Sequence, residues 1–207
     1  MSILSQRSPG AAARRVLHAV AAALCLAAAS PNHAAGAKET ALDKALDAAM
    51  TPGEGQKRLE PMVGTFSVEM RTWADPSKPP VESSGSAVGV WVLGNRYVQT
   101  MLSINDKDAT FSGIGYAGYD NVAKVYQAAW MDDGSTGMVW YSGRMDAAGR
   151  SAVMKATTTN PSTGKPSPLE LRMALTPDGR HSSELWGVGL GTQMFKMMEL
   201  HYTRVGK

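Results

Sequence analysis

The chain has 207 residues, 21 of them basic and 18 acidic, with a single cysteine. That length suits one domain with a real core. The basic excess is confined to the N-terminus: residues 1–37 carry three arginines and no acidic residue, so residues 38–207 hold 18 charges of each sign. A balanced domain without a basic cluster argues against a nucleic-acid partner, because such binding rests on phosphate neutralisation. With Cys25 as the only cysteine, residues 38–207 offer no disulfide, thiolate nucleophile or zinc–thiolate site.

Residues 1–37 read as a secretory signal peptide: a basic start, the short apolar run "VLHAVAAALCLAAAS" and a small-residue end. The run falls short of the roughly 20 apolar residues of a membrane span. Ala35-Gly36-Ala37 places cleavage after Ala37, with Ala34 the alternative. Arg14-Arg15 raises the twin-arginine export route, but His18 stands where that signal prefers an apolar residue. Leu24 precedes Cys25 where a lipoprotein signal needs a small residue. The expected product is therefore periplasmic or secreted, with no stable membrane anchor after cleavage.

Residues 38–63 are expected to be helical. Leu42, Leu46 and Met50 recur every four residues and form one apolar stripe. "TPGEGQ" breaks the chain, and "KRLEPMVG" is a second helical turn that Pro61 ends. From Gly64 to the C-terminus the period changes to two. Phe66, Val68 and Met70 alternate with Ser67, Glu69 and Arg71, the pattern of a half-buried strand. "SGSAVGVWV" and "RYVQTMLSI" flank the hairpin signal "LGN". The strands "TFSGIGYAG", "VYQAAWM", "TGMVWYSG", "RSAVMKATT", "LELRMAL", "HSSELWGV" and "MFKMMELHYTRV" follow, separated by short turns and by the longer loop "NPSTGKPSP". About ten strands joined by short connections must pair antiparallel. The expected fold is all-β, a sandwich or closed barrel over residues 64–207 with one or two short helices ahead of it.

"GIGYAG", residues 113–118, fits the dinucleotide fingerprint G-x-G-x-x-G. That fingerprint works only as a strand, a tight turn and a helix whose N-terminus meets the phosphates. Here it lies inside a strand and leads into a turn and another strand, so no nucleotide site is expected. The glycines instead share faces: Phe111, Gly113, Gly115, Ala117 and Tyr119 on one strand, and Gly85, Ala87, Gly89 and Trp91 on another. Glycine in a strand permits sharp bending or close approach. Two readings stand: curvature and side-chain fitting inside a small barrel, or missing side chains that leave a ligand cavity.

The segments "MVGTFSVEM", "WVLGNRYVQ", "GIGYAGYDN", "AAWMDDGSTGM" and "MMELHYTR" resemble the bacterial family called domain of unknown function 1579, in order and spacing, from Leu59 to Arg204. The resemblance implies a calycin-like, lipocalin-type barrel and no particular activity. Two positions depart from the family pattern. Phe66 stands where Trp is usual, and Gly89 where a larger residue is common. If Gly89 faces inward it would enlarge a cavity, and Gly89→Leu would fill that cavity without unfolding the protein.

Trp91, Tyr119, Tyr126, Trp130 and Asp132 are the candidate ligand-binding residues. Tyr126, Ala128, Trp130 and Asp132 alternate on one strand face, and an aromatic interior with one or two polar groups suits an apolar ligand. The competing reading makes Tyr126 and Trp130 core and Asp132 the cap of the "DDGS" turn. Asp120, Asp132 and Asp133 lack the ligand density of a calcium site and face differently along their strands, so they read as turn residues. Ser135 has no recognisable partner in His181 or His201. His201 alternates with Glu199 and Thr203 on the solvent face, which disfavours haem ligation. Twelve of the 13 methionines lie beyond the leader. Met194, Met197 and Met198 could suggest Cu(I), but scattered methionine suits adaptable core filling. No metal, cofactor or catalytic residue is therefore expected. The leading functional expectation is an exported barrel that binds a small apolar or amphiphilic ligand. The alternative is a structural or protein-interaction barrel with a packed core, and an enzyme acting at the barrel mouth ranks third. A cavity of roughly 300 Å³ or more would favour binding.

Overall fold

The computed structural model describes residues 40–106, 109–176, 178–189 and 193–206. The expected signal peptide, its cleavage site, Arg14-Arg15 and Cys25 lie outside the described residues.

Ten strands follow two short helices: β1 Gly64–Thr72, β2 Val81–Val92, β3 Tyr97–Asp106, β4 Ala109–Asp120, β5 Val125–Asp132, β6 Val139–Met145, β7 Ser151–Thr159, β8 Pro166–Leu175, β9 His181–Gly187 and β10 Phe195–Arg204. Each strand pairs antiparallel with its sequence neighbours, and β1 pairs with β10 to close the barrel. The chain is thus an up-and-down barrel without free edges. "GIGYAG" lies within β4, paired to β3 and β5 throughout. One expected loop is shorter than its composition suggests: β8 begins at Pro166, inside "NPSTGKPSP". Proline is tolerated at the first residue of a strand, where no ladder donor is required.

Helix α1, Ala41–Met50, buries no residue. Its C-terminal carbonyls are held by the barrel: Arg96 Nη2 donates to Met50 O at 2.7 Å, and Asn121 Nδ2 to Ala48 O and Thr51 O. Helix α2, Glu54–Lys57, forms inside the expected break. The Gln56 side chain turns back to accept from Gly53 N at 2.8 Å, which satisfies a donor that the broken chain would otherwise leave free. A 3₁₀ turn at Glu60–Met62 begins around Pro61, where the missing N–H costs nothing.

Residues 53–63 form a plug across one end of the barrel. Leu59 is only 3% exposed and joins the core with Val98, Ala117, Tyr126, Tyr141 and Met154. A second core cluster centres on Phe66, Val68, Ala87, Leu102, Ile104 and Leu200. Trp130 packs against both clusters.

Candidate ligand-binding cavity

Alternation along the strands decides what faces the interior. On β2 the inward residues include Gly85, Ala87, Gly89 and Trp91, and on β4 Phe111, Gly113, Gly115, Ala117 and Tyr119. The space above these glycines is occupied. The Trp130 indole lies across Gly113 and Gly115; a Cβ on Gly115 would come within 2.9 Å of the ring, and one on Gly113 closer still. At Gly85 the backbone of Ser103 and Ile104 crosses where a Cβ would stand, and at Gly89 the carbonyl of Met62 does so. The expectation that Gly89 enlarges a cavity is therefore corrected: it faces inward, but its missing side chain admits the plug. Gly89→Leu would collide with plug backbone rather than fill a void.

Three of the five candidate residues secure that plug. Trp91 Nε1 donates to Glu60 Oε2 at 2.8 Å, and Tyr126 Oη donates to Gly55 O at 3.1 Å. The Tyr119 ring packs on Gly55, its carbonyl accepts from Gln56 Nε2 at 2.9 Å, and its ring lies 4.8 Å from that of Tyr126. Trp91, Tyr119 and Tyr126 do not line the cavity described next. They sit on the expected face but at the plugged end, because register along the strand sets their height. From the last strand Arg204 completes the fastening. Its Nη1 donates to Val63 O at 2.6 Å, its Nη2 to Pro61 O at 3.3 Å, and its guanidinium lies 5.0 Å from the Phe66 ring centre.

A cavity of about 220 Å³ occupies the interior below the plug. Met62 forms its floor at the plugged end. Trp130 and Asp132, the remaining two candidates, lie toward the other end with Phe111 and Val139. Between them the wall is aliphatic, from Leu102, Leu169, Leu171, Met173, Leu185 and Leu200. Its polar side chains include Tyr141, His181, Ser183 and Tyr202. The volume is below the roughly 300–1,000 Å³ of drug-sized sites. It exceeds the ~150 Å³ of an apolar cavity able to hold benzene.

Asp132 serves both the wall and the turn: Oδ2 accepts from Trp130 Nε1 at 2.8 Å, and Oδ1 accepts from Gly134 N at 3.1 Å. Burial, with the Asp132 charge adding to it, pushes the Tyr141 hydroxyl up to about 12. Desolvation likewise pushes Tyr202 up to about 12. Both phenols are neutral donors at ordinary pH. His181, at 7% exposure, stacks on Tyr202 at 4.1 Å with the planes 9° apart and meets the Phe66 edge at 4.7 Å. Burial pushes its imidazole down to about 4, against a hydrogen bond with the Gly179 backbone, and the nearby Arg204 charge acts in the same direction as burial. Its Nδ1 has almost no accessible surface and so does not open onto the cavity.

His181, Ser183 and Tyr202 were absent from the expected site, although period two already places His181 and Ser183 on one face with Leu185, and Tyr202 with Leu200. His181 follows the "PDG" turn in sequence, and Phe66 and Tyr202 pack against it. Ser135 lies in the turn after β5 at the opposite end from His181, and His201 is exposed. Among the described residues no group of three His, Cys, Asp or Glu side chains is arranged to hold a metal ion.

The fold and interior define a closed ten-stranded antiparallel barrel, plugged at one end by its own N-terminal segment and hollow beneath the plug. The chain belongs to the family described as Protein of unknown function (DUF1579), which it matches over residues 51–204. It is similar in fold to the crystal structure of Rv2717c from M. tuberculosis, at 14% identity and a TM-score of 0.57, over 75% of this chain and 100% of that one. A comparison with the curated proteins finds no match.

Proposed function

We propose that this chain is an exported small-molecule-binding barrel, which holds a small apolar or amphiphilic ligand inside the cavity. The carrying observation is the interior itself: a 220 Å³ space with a mainly apolar wall and a few polar groups, the usual composition of a small-molecule site. The leader-like residues 1–37 support export. The size points to a ligand of one or two rings or a short chain. Native mass spectrometry of the protein purified gently from its own cells tests the reading. A bound mass that disappears on denaturation is expected. A uniformly ligand-free mass, together with no thermal shift from any of a panel of small aromatics and short-chain alcohols, would refute it.

A second reading, a protein-interaction barrel, is favoured by the outer surface. Met101, Ile114 and Met131 stand in cross-strand register there, as do Tyr116, Ala129 and Trp140, and Trp140 is 67% exposed. Contiguous exposed apolar side chains of this kind mark contact surfaces. Sedimentation analysis of wild type and Trp140→Glu separates the readings, since a cavity-binding function is indifferent to that substitution.

A further inference from the structure

Resting on the ligand-binding reading, we infer that the cavity takes a small primary amine with an apolar body, its ammonium group paired with the Asp132 carboxylate and the Tyr141 hydroxyl. Tyr141 supplies the first observation. It stands inward on β6 at 7% exposure and lines the cavity, yet its hydroxyl makes no hydrogen bond among the described residues. In contrast to His181 Nδ1, that oxygen is not sealed by its surroundings, so it opens into the space that its residue lines. A hydroxyl placed so deep and left unpaired is unfavourable until something in the cavity answers it.

Charge decides the class of ligand. Asp132 is the one carboxylate in the lining, which contains no lysine or arginine. Burial keeps His181, Tyr141 and Tyr202 neutral at ordinary pH, so none of them offsets it. Among the described residues no basic side chain forms an ion pair with Asp132. Its partners are Trp130 Nε1 and Gly134 N, which leave lone pairs on both oxygens. Its field reaches Tyr141, whose hydroxyl it helps to push up to about 12. The interior thus carries a negative charge without a counter-charge. An anion would be repelled as well as desolvated, whereas an ammonium gains a charge-assisted hydrogen bond. An ammonium also has three donors and no acceptor, which matches a carboxylate and a hydroxyl oxygen. Two rings flank the carboxylate. Trp130 is bonded to it, and a Cβ built on Gly134 would lie 3.3 Å from Asp132 Oδ1 and 3.7 Å from Phe111 Cε2. Ring faces add attraction for a cation. The aliphatic wall between this end and Met62 takes the apolar body.

Benzylamine, benzyl alcohol and benzoate test this directly, because they are close in size and differ in charge. Calorimetric titration of wild type at neutral pH is expected to show benzylamine binding about ten-fold more tightly than benzyl alcohol, the worth of one charge-assisted hydrogen bond after desolvation, and benzoate not binding. Asp132→Asn should abolish the preference for the amine while the alcohol still binds. Tyr141→Phe should weaken benzylamine by a few-fold. The ¹³C resonances of the Asp132 carboxyl and of Tyr141 Cζ in wild type should move when benzylamine binds, and they keep the test decisive if either variant fails to fold. Equal or tighter binding of benzyl alcohol or benzoate by wild type would overturn the inference and leave the ligand-binding reading standing, with the Tyr141 hydroxyl served by water. An amine preference that survives in folded Asp132→Asn, an unchanged benzylamine affinity in folded Tyr141→Phe, or resonances that stay in place would overturn it as well. Failure to bind benzylamine alongside binding of a neutral aromatic or alcohol would do the same. Binding of none of these compounds, nor of any other small aromatic or short-chain alcohol, would remove the underlying reading itself.

Discussion

Gly89→Ala is the smallest change that tests how the plug sits on the barrel. A Cβ built on Gly89 would overlap the carbonyl oxygen of Met62, with Met62 C at 3.0 Å and Val63 Cα at 3.5 Å next. Relief requires the strand and the turn to separate by more than about 1 Å, and neither yields easily. Gly89 is paired to Gly64 on one side and Thr100 on the other. Met62 is flanked by Pro61 and Val63, whose carbonyls are held by Arg204. Gly89 does not have the positive φ that would strain alanine, so the whole penalty is steric. Overpacking of this kind costs about 1–3 kcal/mol, and backbone against backbone belongs at the upper end. For a domain of this size the melting temperature falls by roughly 2–4 °C per kcal/mol, a drop of about 4–12 °C overall. The sign is diagnostic. Where alanine fits, Gly→Ala raises stability by about 0.4–1 kcal/mol through the unfolded chain. Gly137→Ala is the control, because nothing lies within 4 Å of a Cβ there and its φ is unstrained. Urea midpoints of the three proteins, with limited proteolysis reporting on residues 40–63, make the measurement. A Gly89→Ala midpoint at or above wild type would show that the plug does not rest on β2 and that this glycine does open the interior.

Trp130→Ala should destabilise by about 3 kcal/mol, the low end for a large aromatic because the residue is only partly buried; an unchanged denaturation midpoint would contradict its place over Gly113 and Gly115. Stability should also depend on pH through His181. The unfolded chain protonates this group below about pH 6.5, the folded one only near 4, so the folded state binds fewer protons between those values. Its contribution is complete above about pH 6.5 and is lost as pH falls toward 4, a total of roughly 3 kcal/mol. The carboxylates of Asp120, Asp146 and Asp178, held down by hydrogen bonds, titrate below that window. Urea midpoints that stay level from pH 7 to 4.5, or a slope that persists in His181→Phe, would contradict this assignment. Mass analysis of the exported protein should place its first residue between Ala35 and Lys38, and a lipid retained on Cys25 would overturn the processing scheme.

The difference between what the sequence revealed and what it withheld follows from the geometry of strands. Period two assigns a face, and every inward face used here, from Gly85–Trp91 to Tyr126–Asp132, is visible as alternation. Height along the barrel comes from register, which depends on partners far away in sequence. Tyr126 and Trp130 therefore look equivalent on one strand, yet one grips Gly55 of the plug and the other walls the cavity. Glycine has the same ambiguity in sharper form. The sequence shows that a side chain is missing, while the atoms that take its place come from elsewhere: Trp130 over Gly113, Met62 over Gly89, Ser103 against Gly85. His181 was hidden for the converse reason. Its neighbours in sequence form an exposed turn, and its burial is supplied by Phe66 and Tyr202, the first more than a hundred residues away. The plug connects these cases. Residues 53–63 carry little strand or helix signal of their own, but they bury Leu59, fix Trp91, Tyr119 and Tyr126, and set the floor of the cavity. That the family match begins at residue 51, ahead of the first strand, fits a domain in which this segment is part of the site rather than a leader to it.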